Sequence, residues 1–383
     1  MNKNIILLHP SLNPAGGGEQ VVLQLIRVLI KNAYNVKLFS IEKTDWKTLD
    51  KTFANFIKPN EEFSLLKKAP RTGIEIIDSF IITTLFITLL IYTKFTFNEL
   101  QINTCGEKIN SVSDIVYVNA IPLRSAYLLD STRLYRKIMS RIYGKFITIF
   151  DILSPAKLLI SNSKFNQNLI KKSFNQNSEV VYPPIDLSRI IYDKIEKKNS
   201  VVVVTRYLPE QGLEIVPYLA LKLESVHFTL IGPTSVGSQD LINRLEKKCQ
   251  EYGVQERVQL LLNQPFTTYV STLFGSKILL RTLPSEPFGI SIIEGMAAGC
   301  VPIVRKGSGA WVDILEEHDG QYGFGFLDEQ DAVVKIIQVL SDDELLKLLQ
   351  DRIRVRVKYF QNLNFEANII NLVEKVSNQL MKS

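Results

Sequence analysis

The chain has 383 residues, 46% of them hydrophobic and 22% charged, the composition of an ordinary globular protein long enough for about two domains. Its three cysteines, Cys105, Cys249 and Cys300, stand far apart with no C-x-x-C pair. That argues for a reduced compartment and against a disulfide framework; with only three histidines it also argues against a zinc site. The net charge of +6 is uneven: residues 1–190 carry +9 and residues 191–383 carry −3. A basic first half favours an anionic surface. No helix-turn-helix, zinc-finger or RNP-like segment supports nucleic acid, so an acidic membrane face or a lipid pyrophosphate is the better partner.

The opening Met1-Asn2-Lys3-Asn4 leads straight into Ile5-Ile6-Leu7-Leu8, too short for the apolar core of a signal peptide. Ile5–His9 reads as a buried strand. After a loop to Gly18, Glu19 to Lys31 reads as an amphipathic helix with Val22, Leu25, Ile26 and Leu29 on one face, and Val36–Ile41 as the next strand. Strand–helix–strand with a crossover of this length implies a parallel sheet. Ser79–Thr93 is an uncharged run bounded by Asp78 and Lys94. As a helix it is about 22 Å long, short of a bilayer span, and is either a buried core helix or a shallow membrane insertion. Asp114–Val118 and Lys157–Ser161 read as strands and Lys164–Lys172 as a helix. Between them, Thr132 to Phe150 reads as a basic amphipathic helix. Arg133, Lys137, Arg141 and Lys145 form one stripe, either a solvated face or a membrane-docking one. The charged segment from Asp193 to Ser200 reads as the interdomain linker.

The second half repeats the plan, with strands at Val201–Thr205, His227–Ile231, Val258–Leu262, Lys277–Leu283 and Val301–Val304 and helices between them. The tail from Asp342 to Leu380 is helical with a polar break near Gln361-Asn362-Leu363-Asn364. Two Rossmann-like halves place ligands at the carboxyl ends of their strands.

The stretch Ser285-Glu286-Pro287-Phe288-Gly289-Ile290-Ser291-Ile292-Ile293-Glu294-Gly295 carries the most chemistry. Glu286 falls on the loop after a buried strand, and Glu294 about four residues into the following helix, roughly 6 Å along its axis. Between them the amides of Phe288, Gly289, Ile290 and Ser291 have no intrahelical partner. Free N–H donors attract phosphate or hydroxyl oxygens, and carboxylates accept from sugar hydroxyls, so the spacing suits a nucleotide sugar. The plain alternative is two helix-start glutamates favoured by the macrodipole. Gly16, Gly17 and Gly18 bring backbone close to a ligand at another helix start. A dinucleotide fingerprint is the rival there, with Glu42 as its ribose acid. Val21 stands where its third glycine or alanine belongs, and the loop from Pro10 to Ala15 is too long for its tight turn.

The Glu-x7-Glu stretch resembles that of glycosyltransferase family 4, retaining enzymes of GT-B fold. Lys306-Gly307-Ser308-Gly309-Ala310-Trp311-Val312-Asp313 resembles the family's second glycine loop. His9-Pro10-Ser11-Leu12-Asn13-Pro14-Ala15-Gly16-Gly17-Gly18-Glu19 resembles the mannosyltransferases that extend dolichol-linked oligosaccharides at the endoplasmic reticulum. Tyr182-Pro183-Pro184-Ile185-Asp186 is similar to the segment these enzymes carry before their second domain.

The resemblance implies two Rossmann-like domains facing a cleft. Residues 1–190 would bind acceptor and 199–362 the nucleotide sugar, with a C-terminal helix from about 363 crossing back to the first domain. It implies transfer of a sugar, mannose first, from a GDP- or UDP-sugar to a lipid-linked glycan. No metal or other cofactor is required, and the protein sits peripherally on the cytoplasmic face of an anionic membrane. Glu286 would hold donor sugar hydroxyls, Glu294 the ribose, and Arg206 the departing diphosphate. Two departures stand out. Gln211 occupies the position of a second, lysine cation, with Lys306 a candidate to compensate. The first-domain strand ending Tyr117-Val118-Asn119-Ala120-Ile121-Pro122 lacks the family's His, for which His9 is a neighbouring candidate. These departures motivate an alternative: a nucleotide-sugar-binding protein of weak or no turnover.

Overall fold

Short runs of Ile, Leu and Val bounded by turn residues form two separate parallel sheets in the computed structural model, which describes residues 3–52, 56–72, 75–106, 109–120, 154–188, 190, 195–235, 237–362 and 365–381. The basic stripe Arg133, Lys137, Arg141 and Lys145 lies outside the described residues, as does Ile121-Pro122.

The chain divides into one unit of residues 1–184 and 364–383 and a second of 185–363. The boundary falls inside Tyr182-Pro183-Pro184-Ile185-Asp186, upstream of the segment read as a linker. The last residues of that segment, Lys198 to Ser200, instead start a strand, because they pair with both neighbouring strands.

In the first unit the strands are β1 (Asn4–Leu8), β2 (Asn35–Glu42), β3 (Glu61–Leu66), β4 (Leu100–Asn103), β5 (Ile115–Val118), β6 (Leu158–Ser161) and β7 (Glu179–Val180). Their order is β3-β2-β1-β4-β5-β6-β7, all parallel. Helix α1 (Gly17–Lys31) covers one face, burying Val22, Leu25, Ile26 and Leu29 against Ile5, Leu7, Val36 and Leu38. Helix α2 (Trp46–Thr52) follows β2. Helix α3 (Glu75–Thr96) covers the other face, seating Phe86, Ile87, Leu89 and Leu90 on Ile6, Leu8, Phe39 and Ile41. Helix α4 (Lys164–Phe174) follows β6.

Helix α3 corrects the sequence reading twice. It has 22 residues, because Asp78 and Lys94 lie inside it rather than at its ends. Asp78 accepts from the Thr72 amide and hydroxyl, and Lys94 pairs with Asp114 at 3.3 Å, so neither charge breaks the helix. It is also not a wholly buried core helix: one stripe is in the core and the opposite stripe is exposed.

The second unit holds β8 (Lys198–Val204), α5 (Val216–Lys222), β9 (His227–Gly232), α6 (Ser238–Glu251), β10 (Val258–Leu262), α7 (Phe266–Gly275), β11 (Ser276–Arg281), α8 (Ile290–Ala297), β12 (Val301–Arg305), β13 (Phe324–Phe326), α9 (Glu329–Leu340) and α10 (Asp343–Asn362). The strand order is β10-β9-β8-β11-β12-β13, again parallel. In each sheet the order of strand addition therefore reverses once, between β1 and β4 in the first unit and between β8 and β11 in the second. Ligands of such sheets bind beyond the carboxyl ends of the strands at that switch point. The last helix, α11 (Phe365–Leu380), returns to the first unit, where Phe365, Ile369, Val373 and Val376 join the core beside α1.

Candidate active site

β8 and β11 are neighbours, and both motif arms leave from their carboxyl ends. β11 stops at Arg281, two residues before the expected end. The hydroxyl of the next residue, Thr282, donates to the Gln211 carbonyl at 2.6 Å, which draws the chain out of the ladder. The loop that follows carries Glu286, 9% exposed. Gly289, at φ +107°, turns the chain into α8, and Glu294 lies in the fifth position of that helix. The amides of Gly289, Ile290 and Ser291 have no hydrogen-bond partner among the described residues. The Phe288 side chain does not face the ligand side: it is buried edge-on against Phe360, 5.7 Å between ring centres.

Both carboxylates have a partner that the sequence did not reveal. Arg281 donates through Nε at 2.7 Å to one oxygen of Glu286, Oε2, and its Nη2 forms an ion pair with the same oxygen at 2.5 Å. Its Nη1 donates to the Val204 carbonyl at 2.7 Å, so the guanidinium ties the two switch-point strands to the carboxylate. Oε1 of Glu286 has no partner among the described residues, which makes it the acceptor on offer. Tyr269, on α7, donates its phenol to Oε2 of Glu294 at 2.5 Å. Burial first, then the Glu294 charge, raises that phenol well above its usual value, so it stays a neutral donor. A hydrogen bond between residues 25 positions apart has no sequence signature; an arginine closing an apolar strand was the only visible hint of the first clasp.

α7 is itself pinned. Lys197 donates to the carbonyls of Phe274 at 3.1 Å and Ser276 at 2.5 Å, capping the negative end of the helix. Cys300 donates its thiol to Leu273 at 3.0 Å, and burial pushes that thiol up to about 11. The glycine loop after β12 closes on the motif from the other side. Gly309 donates to the Glu286 carbonyl at 2.6 Å, and a Cβ there would fall 2.0 Å from the Pro287 carbonyl, so no other residue fits.

Arg206, just past β8, is exposed and has no ion-pair partner among the described residues. Gln211 is 3% exposed and its Oε1 accepts from the Thr205 hydroxyl at 3.3 Å, so what it can offer a phosphate is a neutral amide and no charge. Lys306 is also engaged elsewhere: it pairs with Asp319 at 2.9 Å and lies over the Trp311 ring. Among the described residues Arg206 is the cation at this switch point without an ion-pair partner, whereas Lys306 is held by Asp319.

In the first unit Gly16 is the N-cap of α1, and Gly17 and Gly18 form its first turn. Glu19 reaches back to the Gly16 amide at 2.7 Å and to the His9 ring at 3.6 Å. Burial alone would raise the Glu19 carboxyl, but the His9 ring and the Gly16 amide outweigh it and hold it below its usual range. His9 is a packed residue: its Nδ1 lies 2.9 Å from the Thr104 hydroxyl, which donates onward to the Leu8 carbonyl. Asn119, at the end of β5, donates to the Thr104 carbonyl at 3.0 Å, so the structure joins it to His9 through Thr104. Glu42 is excluded as a ribose acid here. Ser11 and the Ala69 amide occupy its two oxygens. Among the described residues no cluster of three or more His, Cys, Asp or Glu side chains could hold a metal ion.

Residues 185–356 match the family described as Glycosyl transferases group 1. The chain is 27% identical over 270 residues to the human GDP-Man:Man(3)GlcNAc(2)-PP-Dol alpha-1,2-mannosyltransferase, covering 66% of this chain and 54% of that protein. The protein of the same name from Caenorhabditis elegans is 22% identical and covers 98% of this chain and 92% of its own length. The chain spans about half the length of the first curated relatives it matches, 54% of the human and mouse proteins. Among solved structures, sucrose-phosphate synthase from Thermosynechococcus elongatus superposes with a TM-score of 0.75 at 16% identity over 98% of this chain and 99% of its own. Anabaena HepE in complex with UDP-glucose superposes with a TM-score of 0.68 at 14% identity over 97% and 99%. With a matching parallel sheet in each unit, this is the GT-B fold, and the part of it formed by residues 185–356 is similar to the Glycosyl transferases group 1 family.

Proposed function

We propose that the chain is a retaining hexosyltransferase that moves mannose from GDP-mannose to a lipid-linked glycan at a membrane surface. The observation that carries this reading is one arrangement at the β8–β11 switch point. Two clasped carboxylates bracket three helix-start amides that are unpartnered among the described residues, and Arg206, likewise without an ion-pair partner among them, follows the neighbouring strand. The choice of sugar, base and acceptor follows the activity for which the human and Caenorhabditis elegans relatives are named.

In this mechanism the second unit holds the donor and the first unit the acceptor. Oε1 of Glu286 accepts from a sugar hydroxyl and Glu294 from the ribose. As the glycosidic bond breaks, charge builds on the diphosphate. Arg206 and the amides of Gly289, Ile290 and Ser291 stabilise that charge where it develops. The acceptor hydroxyl attacks from the face the diphosphate is leaving, and a phosphate oxygen takes its proton. No step requires a metal. The membrane partner is supported by the +9 charge of residues 1–190, and a peripheral position on its cytoplasmic face is part of the same proposal.

The test is a donor panel of GDP-mannose, UDP-glucose and UDP-GlcNAc with a synthetic polyisoprenyl-diphosphate glycan, read by product mass. One hexose added from GDP-mannose is the expected result. A second reading, a nucleotide-sugar-binding protein without turnover, is favoured by Gln211, a neutral amide where the resemblance implies a lysine cation. Donor binding without release of nucleoside diphosphate in the presence of acceptor would establish it instead.

A further inference from the structure

Helix α3 has two unlike faces. Toward the sheet it buries Thr83, Phe86, Leu89, Leu90 and Thr93. Away from the sheet it exposes Ile77, Phe80, Thr84, Thr88, Tyr92 and Phe95, spaced three or four residues apart with no charge among them. Phe95 is 85% exposed, Tyr92 52% and Phe80 48%. The Thr88 hydroxyl donates back to the Thr84 carbonyl at 3.0 Å, which lowers the polarity of the stripe further. This exposed stripe runs the length of a helix about 33 Å long.

It continues onto β3. That strand is an edge of the sheet, yet it exposes Phe63, Leu65 and Leu66. Phe63 stacks on Phe39, Phe39 meets Phe97 edge-on, and Phe97 meets Tyr92, so one aromatic ladder joins strand to helix. At the end of β3 stand Lys67 and Lys68, both exposed and without an ion-pair partner among the described residues. Edge strands are ordinarily protected by charge, proline or cover, and soluble surfaces seldom carry contiguous apolar patches of this kind.

The stretch Ile77–Thr96 is long and apolar enough, by length and composition, to cross a membrane. Crossing would strip Phe86, Leu89 and Leu90 from the core they share with β1 and β2. A helix that keeps its inner face on the sheet and exposes an apolar outer face is suited to lie in the plane of an interface. Unpaired lysines at the rim complement anionic headgroups, and ring side chains such as Tyr92 favour the headgroup boundary. We propose that the outer face of α3 and the exposed side of β3 form one docking surface for an anionic bilayer, with α3 lying in the plane of the interface. The inference rests on the lipid-linked acceptor proposed above.

The experiment is sedimentation with vesicles of phosphatidylcholine, with and without phosphatidylserine, for the wild type, Phe80→Gln/Phe95→Gln and Lys67→Gln/Lys68→Gln. These side chains are exposed, so unchanged thermal unfolding checks the fold of each variant. The wild type should bind the anionic vesicles, and the phenylalanine pair should weaken binding about tenfold or more, salt or no salt. The lysine pair should remove most of the salt-sensitive part. Wild-type binding by the phenylalanine variant overturns the proposal. So does concentration-dependent dimerisation of the wild type that this variant abolishes without any effect on vesicle binding, which would make the occupant a second copy of the chain. Transfer to a short-chain, water-soluble acceptor should be the same in all three proteins. Absence of transfer in the wild type with every acceptor refutes the enzymatic reading alone, whatever the vesicles report.

Discussion

Arg281 donates to one oxygen of Glu286, pairs with that oxygen through Nη2 and donates to the Val204 carbonyl, so one guanidinium fixes both the motif carboxylate and the strand end beside it. Glu286 then presents a single oxygen, Oε1, in one orientation. A planar fork can do this where a lysine could not. Breaking such a pair leaves a nearly buried carboxylate without its counter-charge, a loss of about 3–5 kcal/mol of stability in comparable sites.

Arg281→Ala should therefore depress both melting temperature and turnover, and Arg281→Lys should recover the first more than the second. If Arg281 acts through Glu286, Glu286→Gln and Arg281→Ala combined should cost little more turnover than the worse single change. Steady-state kinetics on the four proteins decides it. Full additivity would mean that Arg281 contributes separately from Glu286.

Glu294→Gln should raise the donor dissociation constant by about one to two decades, the worth of a charged hydrogen bond. Tyr269→Phe removes the phenol that orients the carboxylate, so it should weaken donor binding by a smaller factor in the same assay. Calorimetric titration of each variant with nucleotide sugar measures both. Unchanged affinity in folded Glu294→Gln would remove that residue from the site.

Arg206→Ala should lower kcat far more than it changes KM, because its charge matters most as the diphosphate departs. Gln211→Lys should lose stability, since the new ammonium would enter a position 3% exposed beside the Thr205 hydroxyl. Thermal unfolding checks the second statement, and kinetics with saturating donor the first.

The Glu19 carboxyl is held below its ordinary value of 4.5 in the folded state. A depressed folded value means stability that is present above the unfolded value and lost as pH falls through the folded one. The melting-temperature advantage of wild type over Glu19→Gln should be level near neutrality and shrink below about pH 4.5. An advantage unchanged down to pH 3 would show that Glu19 acts only by packing.

Much of the fold was legible in the chain itself. Runs such as Ile5–Leu8 and Ile278–Leu280 can only be buried strands, and the glycines at 16–18, 289 and 299 mark helix ends because backbone geometry is a local property. The spacing of Glu286 and Glu294 places one on a loop and one a turn into a helix for the same reason. What the carboxylates touch was decided by tertiary structure alone. Arg281 meets Val204 only because β11 lies next to β8, and Tyr269 meets Glu294 only because Lys197 and Cys300 pin α7. The same holds for α3. Composition reads it as apolar all round, but which stripe is buried depends on the sheet it lands on, and a burial pattern set by distant strands leaves no local periodicity to read. The lysine roles went the same way: Lys306 and Lys197 carry the same charge in the sequence, and their partners, Asp319 for one and a helix end for the other, are set by chain segments that meet only on folding.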